Sequence, residues 1–208
     1  MKKGLLIVIS GPSGAGKGTI SREIVARHET IELSVSATTR KPRNGEIEGL
    51  SYYFLKVSEF ENKIENGDFL EYAKVYDNYY GTPLSGIEDK LNAGIDVILE
   101  IDIQGALKVQ KKYPDGVYVF IMPPSLSELR KRIIDRGTDS IETIEKRMAC
   151  TKSEIDYSLK YNYVVVNEDL DTAVENVKKI IDVEKLTTSR NINLLEKIKE
   201  TKLCIKQQ

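Results

Sequence analysis

Ser10-Gly11-Pro12-Ser13-Gly14-Ala15-Gly16-Lys17-Gly18-Thr19 is the stretch that decides the fold. Before it stands Leu5-Leu6-Ile7-Val8-Ile9, apolar at every position, as a parallel strand buried on both faces is. After it a helical pattern runs from Lys17 to Ala26, with Ile20, Ile24 and Val25 on one side. A strand, a glycine-rich turn, a lysine and a helix in that order make a phosphate-binding loop. Glycines let the backbone wrap a polyphosphate that side chains would keep away. The N–H groups of Gly11, Ser13, Gly14, Ala15 and Gly16, together with the helix N-terminus, supply positive potential, while Pro12, which has no N–H, stiffens the turn between them. Lys17 is expected between β- and γ-phosphate oxygens. The usual loop carries Ser or Thr directly after the lysine as a Mg²⁺ ligand. Here that position is Gly18 and the hydroxyl comes one residue later, in Thr19, so phosphates and water are expected to hold most of the ion.

Working outward, Val97–Asp102, Val117–Met122 and Tyr163–Val166 read as further strands, each followed by a helical pattern. Ser125 with Glu128 has the spacing of a capping box, and Asp169 that of an N-cap. Repeated β–α units predict an α/β fold, a three-layer core with a parallel sheet covered by helices on both faces. Residues 36–84, dense in Tyr, Gly, Thr and Arg with alternating runs such as Tyr52-Tyr53-Phe54-Leu55, predict a small β-rich insert. Residues 126–160 predict two charged helices around Gly137-Thr138 that move as a lid. The core is then 1–35, 85–125 and 161–186, within one domain of 1–186. Residues 187–208 remain as an amphipathic helix using Ile192, Leu195, Ile198 and Leu203, packed on the body or on a second copy of the chain.

The 208 residues are 40% hydrophobic and 30% charged, an ordinary globular composition. Lys plus Arg number 31 against 32 for Asp plus Glu, so no basic excess points to nucleic acid or an anionic membrane. His28, Cys150 and Cys204 are too few for a zinc site of His and Cys or for a disulfide framework, and a reducing cytoplasm is the natural setting. The apolar run at the N-terminus is too short for a signal peptide, and none approaches the roughly 20 residues of a membrane span.

Four more stretches add to the loop: Ser34-Val35-Ser36-Ala37-Thr38-Thr39-Arg40-Lys41-Pro42-Arg43, Glu71-Tyr72-Ala73, Asn78-Tyr79-Tyr80-Gly81-Thr82 and Glu100-Ile101-Asp102-Ile103-Gln104-Gly105. In this order and spacing the chain resembles guanylate kinase over roughly residues 4–185. The resemblance implies a P-loop nucleoside monophosphate kinase with a GMP-binding insert and a helical lid, moving the γ-phosphoryl group of ATP to GMP in the presence of Mg²⁺. Glu71 matches the family carboxylate that accepts from guanine N1 and N2, with Asp102 assisting at the same edge and the Ser36 and Thr82 hydroxyls at O6. Thr82 stands where many members carry serine. Arg40 and Arg43, held apart by Pro42, and the hydroxyls of Tyr52 and Tyr80 match the GMP-phosphate site.

Glu100 and Asp102, two apart on the expected strand, are predicted to share a face, and Glu100 with Thr19 to attend the metal. Arg132, Arg136 and Arg147 match lid arginines that close on the triphosphate, and Asn167 the position near adenine. Two alternatives stay beside this reading: a non-catalytic guanylate-kinase-like binding module, and a kinase for another nucleoside monophosphate.

Overall fold

The computed structural model describes residues 2–75, 77–135, 137 and 140–200. Arg136, Thr138, Leu203 and Cys204 lie outside the described residues. The chain opens with β1 (Leu6–Ser10), α1 (Lys17–Arg27) and β2 (Ile31–Leu33). It then builds β3 (Ala37–Thr38), β4 (Tyr53–Phe54), α2 (Val57–Glu65), β5 (Phe69–Val75) and β6 (Asn78–Pro83). Through α3 (Ile87–Asn92) it returns to β7 (Asp96–Glu100), α4 (Ile103–Lys112) and β8 (Val117–Met122). The last third is α5 (Leu126–Asp135), α6 (Ile141–Asp156), β9 (Tyr163–Val166), α7 (Leu170–Glu184) and α8 (Ile192–Glu200).

The main sheet has five parallel strands in the order β2-β7-β1-β8-β9. Side chains alternate across β1, so both of its faces need cover. Ile7 and Ile9 pack with Ile20 and Ile24 of α1 and Val174 and Val177 of α7. Leu6 and Val8 pack on the other side with Leu91 of α3 and Val109 of α4. This is the three-layer α/β core that the sequence predicts. It holds the C-terminal end of β1 between β7 and β8, with Ile9 opposite Glu100, where open α/β sheets bind their ligands.

The second sheet runs β4-β3-β6-β5. Phe60 of α2 anchors it, its ring stacked on Phe69 at 4.4 Å and on Tyr79 at 5.2 Å. Ser34 N donates to Ile98 O at 2.9 Å, and Tyr53 N to Ser36 O at 2.9 Å, so residues 34–36 stitch one sheet to the other. Helices α5 and α6 enclose a small core of their own, Leu129, Ile133 and Ile144 with Met148 beside them. On α8, Leu194, Leu195 and Ile198 are exposed. No described helix is long and apolar enough to cross a membrane.

Two local expectations are corrected. The strand expected over Val97–Asp102 starts at Asp96 and ends at Glu100. Asp102 has left the sheet to cap α4, its Oδ1 accepting from Gln104 N at 2.7 Å and Gly105 N at 3.1 Å. Glu100 and Asp102 are therefore not two rungs of one strand face. Ser125 does accept from Glu128 N at 3.1 Å, but the Glu128 carboxylate turns forward to Arg132 Nε at 3.1 Å, so the box is half built. Asp169 caps α7 as expected, accepting from Thr172 N at 2.9 Å.

Candidate active site

The loop from Gly11 to Gly16 turns sharply out of β1, and two glycines make that turn possible. Gly11 sits at φ 141° and Gly16 at φ 97°, backbone that side chains rarely adopt. A Cβ on Gly11 would run into Ile121 O of β8, and one on Gly16 into the Asn167 amide. Lys17 Nζ donates to Gly11 O at 2.6 Å and Pro12 O at 2.9 Å, so the cation bends over the loop that its own backbone forms.

Three later residues converge on this loop. Asn167 follows β9 and is buried; its Nδ2 donates to Ala15 O at 2.8 Å while its backbone N donates to Met122 O at 2.7 Å. Arg132 Nη1 donates to Asn167 O at 3.0 Å, tying α5 to the same point. Arg147 of α6 donates from Nη1 to Ser13 Oγ at 2.9 Å. A cavity of about 350 Å³ opens on the outer side, lined by Gly14, Gly16, Thr19, Arg132, Asn167 and Leu170 among others. Asn167 therefore holds the loop in shape as well as facing this cavity.

The second sheet brings the guanine-side candidates together in two groups. Glu71 and Thr82 are cross-strand partners on β5 and β6. Thr82 Oγ1 donates to Glu71 Oε1 at 2.7 Å, both residues being buried. Burial pushes the Glu71 carboxyl up to about 7; the Thr82 hydrogen bond works against this and the charge of Asp102 adds to it. In the other group the Arg40 guanidinium lies 5.5 Å from the Tyr52 ring centre, and Tyr52 meets Tyr80 edge-on at 6.2 Å. Burial, with the Glu100 charge next in weight, pushes the Tyr52 phenol upward. Arg43 is half-buried beside them, and Ser36 stands at the junction of the two sheets.

Three residues that the sequence reading passed over complete the picture. Glu46 takes Arg40 Nη2 at 2.8 and 3.0 Å and the Arg43 backbone N at 2.7 Å, setting the spacing of the two arginines. Gly105, on the first turn of α4, faces Glu71: a Cβ there would lie 2.5 Å from Oε2 and 2.9 Å from Cδ. Glu154 lies two turns after Arg147 on the same face of α6. Burial pushes its carboxyl up while Lys17 pulls it down, Asp102 pushes it up and Arg147 pulls it down. Glu46 had a local signal, three residues after Arg43 in a turn; Glu154 had none that set it apart from the other acids of α6.

Gly105→Ala tests the close approach at Glu71. In an open helix the change favours folding by up to about 1 kcal/mol. Here displacement of a buried carboxylate outweighs that gain, and, with Glu71 as the expected reader of the acceptor base, a shift of the group by ~1 Å should lower kcat/KM for that acceptor by about 10²-fold. The expected result is a raised KM for GMP with ATP binding unchanged; an unchanged KM for GMP would mean that α4 yields without moving Glu71.

The metal-side pair does not converge as expected. Thr19 is exposed and lines the outer cavity. A Cβ on Gly18 would instead face Glu100, 3.0 Å from Oε1 and 3.1 Å from Oε2. Among the described residues no group of three or more His, Cys, Asp or Glu side chains forms a metal cage. Such a donor set fits an ion that keeps most of its ligands from phosphate and water.

Candidate phosphate donors stand on two adjacent parts of the molecule, the loop and the second sheet, an arrangement suited to passing a phosphoryl group between two nucleotides. Fold and site together make the chain a nucleoside monophosphate kinase of the P-loop class. A family model described as Guanylate kinase matches residues 3–184, and the chain belongs to that family. It is 55% identical over 199 residues to the guanylate kinase of Caldanaerobacter subterraneus subsp. tengcongensis, covering 96% of this chain and 97% of the relative. It is 51% identical to that of Clostridioides difficile, covering 96% and 98%. The crystal structure of guanylate kinase from Anaplasma phagocytophilum superposes with a TM-score of 0.79 at 36% identity, covering 93% of this chain and 94% of that one.

Proposed function

We propose that the chain catalyses ATP + GMP → ADP + GDP, with the loop and α5–α6 binding ATP and the second sheet binding GMP. The observation that carries the choice of acceptor is the buried Glu71 carboxylate paired with Thr82 beside α4. Guanine presents N–H donors at N1 and N2, which a carboxylate accepts together; adenine presents no such pair. Arg40, Arg43, Tyr52 and Tyr80 give the acceptor phosphate fixed donors, and Ser36 and Asp102 border the base side.

In the reaction an oxygen of the GMP phosphate attacks the γ-phosphorus of ATP. A new P–O bond forms, the bond to the β,γ-bridging oxygen breaks, and its electron pair leaves on ADP. The attacking oxygen is already anionic, so no general base is required. Lys17 and Arg147 neutralise charge spread over the phosphoryl oxygens, and Arg132 orders the nucleoside side through Asn167; Arg136 is assigned the same task on its resemblance to a lid arginine. Mg²⁺, when bound, supplies charge neutralisation on the phosphates, and Glu100 is the side chain placed to attend it. A cytoplasmic location, where both nucleotides are found, belongs to the same proposal. So does a second copy of the chain as partner, seated on the exposed apolar residues of α8 and testable by light scattering.

The test is an ADP-release assay with Mg²⁺ and ATP, offering GMP, AMP, UMP and CMP in parallel. Turnover with GMP alone is the expected result. A different preferred acceptor would keep the kinase and remove Glu71 as the base reader, and no turnover in folded protein would favour a binding module.

A further inference from the structure

Phosphate loops of this kind carry a hydroxyl residue after the lysine, and this chain carries Gly18. The space that a side chain at 18 would enter is occupied. A Cβ there would meet both Glu100 carboxylate oxygens, at 3.0 and 3.1 Å, and Arg22 Nη1 at 3.4 Å. Glu100 comes to this place by register: it ends β7 directly opposite Ile9, one residue before β1 finishes at Ser10. From there its charge also reaches Tyr52 on the second sheet. The remaining hydroxyl, on Thr19, faces the outer cavity with Arg132 and Asn167, because neighbouring helix positions point about 100° apart.

We propose that Gly18 and Glu100 are a matched pair, in which the Glu100 carboxylate takes over the task of the hydroxyl missing at position 18 and the bare Gly18 leaves it room. The inference rests on the reading of the site as an ATP-dependent phosphotransferase. On this account Glu100, not Thr19, anchors the hydrated divalent cation that accompanies ATP. The two positions are then coupled by volume. Shortening Glu to Asp withdraws the carboxylate by about 1.5 Å, the length of one carbon–carbon bond, which is the room a serine side chain at 18 needs.

The test uses the full chain with ATP and Mn²⁺ as a stand-in for Mg²⁺, with no acceptor present. Bound Mn²⁺ is read by electron paramagnetic resonance, and thermal melting confirms the fold of each variant. Glu100→Gln keeps the volume and removes the charge, and is expected to weaken Mn²⁺ binding to the enzyme–ATP complex ~10-fold. Gly18→Ser alone, pressed against Glu100, and Glu100→Asp alone, drawn back from its place, should each weaken it to a similar degree. Gly18→Ser with Glu100→Asp should recover most of the loss, a coupling of about 10-fold between the two sites.

A double variant no better than Gly18→Ser would overturn the pairing, and native Mn²⁺ binding in Glu100→Gln would remove Glu100 from the cation. A Glu100→Gln variant that melts early is replaced by the Gly18→Ser series, whose double variant restores serine and aspartate together. Because no acceptor is present, a failure of GMP turnover leaves this result standing, and the two readings fail separately.

Discussion

Lys17→Met lowers turnover by about 10³-fold or more while the chain stays folded, because it removes the loop's one mobile positive charge and keeps its length. In the structure the ammonium is held by Gly11 O at 2.6 Å and Pro12 O at 2.9 Å. Those carbonyls hold it over the loop, where the proposed site takes the triphosphate. The backbone N–H groups of the loop do not depend on this side chain, so ATP binding weakens less than the chemical step. GMP binding, proposed for the second sheet, should stay within about threefold of native, since the sites add roughly independently over this distance. Steady-state turnover, calorimetric titration with GMP and a melting curve check the three parts together. Near-native turnover would take the loop out of the mechanism.

Glu71→Gln is expected to lower kcat/KM for GMP by about 10³-fold, since its amide sets an N–H against the guanine donors and a buried mismatch of this kind is costly. The pH behaviour should change with it. Base reading requires the ionised carboxyl, and burial has moved its pKa to about 7. In the native chain kcat/KM for GMP should fall on the acid side of about pH 7, more steeply than protonation of the GMP phosphate alone explains. In Glu71→Gln only the substrate's own titration remains.

Stability moves in the opposite sense. The folded pKa is raised above the model-peptide 4.5, so the folded state holds this proton more tightly than the unfolded state. The contribution is complete below about 4.5 and is lost as pH rises through about 7. The loss over that window is on the order of 3 kcal/mol in the native chain and is missing in the glutamine variant. Denaturant titrations at pH 5 and pH 8 on both proteins would show it. An equal pH dependence in the two proteins would mean that Glu71 ionises normally. On the proposed reading of the site, an ionised Glu71 costs the empty protein stability, and the N–H groups of guanine would offset that cost on binding.

The elements that can be read without coordinates are those whose signal is local. Val117–Met122 and Tyr163–Val166 are apolar runs bounded by turns, and both form strands with those ends. The phosphate loop is legible because glycine and lysine spacing has few other uses. By contrast, β3 and β4 have two residues each, too few for any periodicity, and exist only because β6 and residues 34–36 bring them together. Asp102 illustrates competition between rules: it sits two residues after Glu100 in an apolar context, but an N-cap position accepts two backbone N–H groups and wins over strand extension. In the site, types and order of residues were readable, whereas relations across distance were not. Nothing in sequence links Gly105 to Glu71, or Gly18 to Glu100, because each link is a volume shared by two segments far apart in the chain.

Asn167 closes the phosphate loop from the far end of the polypeptide, its bond to Ala15 spanning 152 positions. A ribosome makes the loop before the amide that shapes it, and reaches that amide roughly 8 to 30 s later at ordinary elongation rates. β1 too is made before either of its neighbours, since β7 and β8 follow it in the chain. A strand buried along its whole length is therefore made before the two strands that cover its edges. The growing chain, rather than the finished one, is the form in which Leu6–Ser10 needs shelter from aggregation.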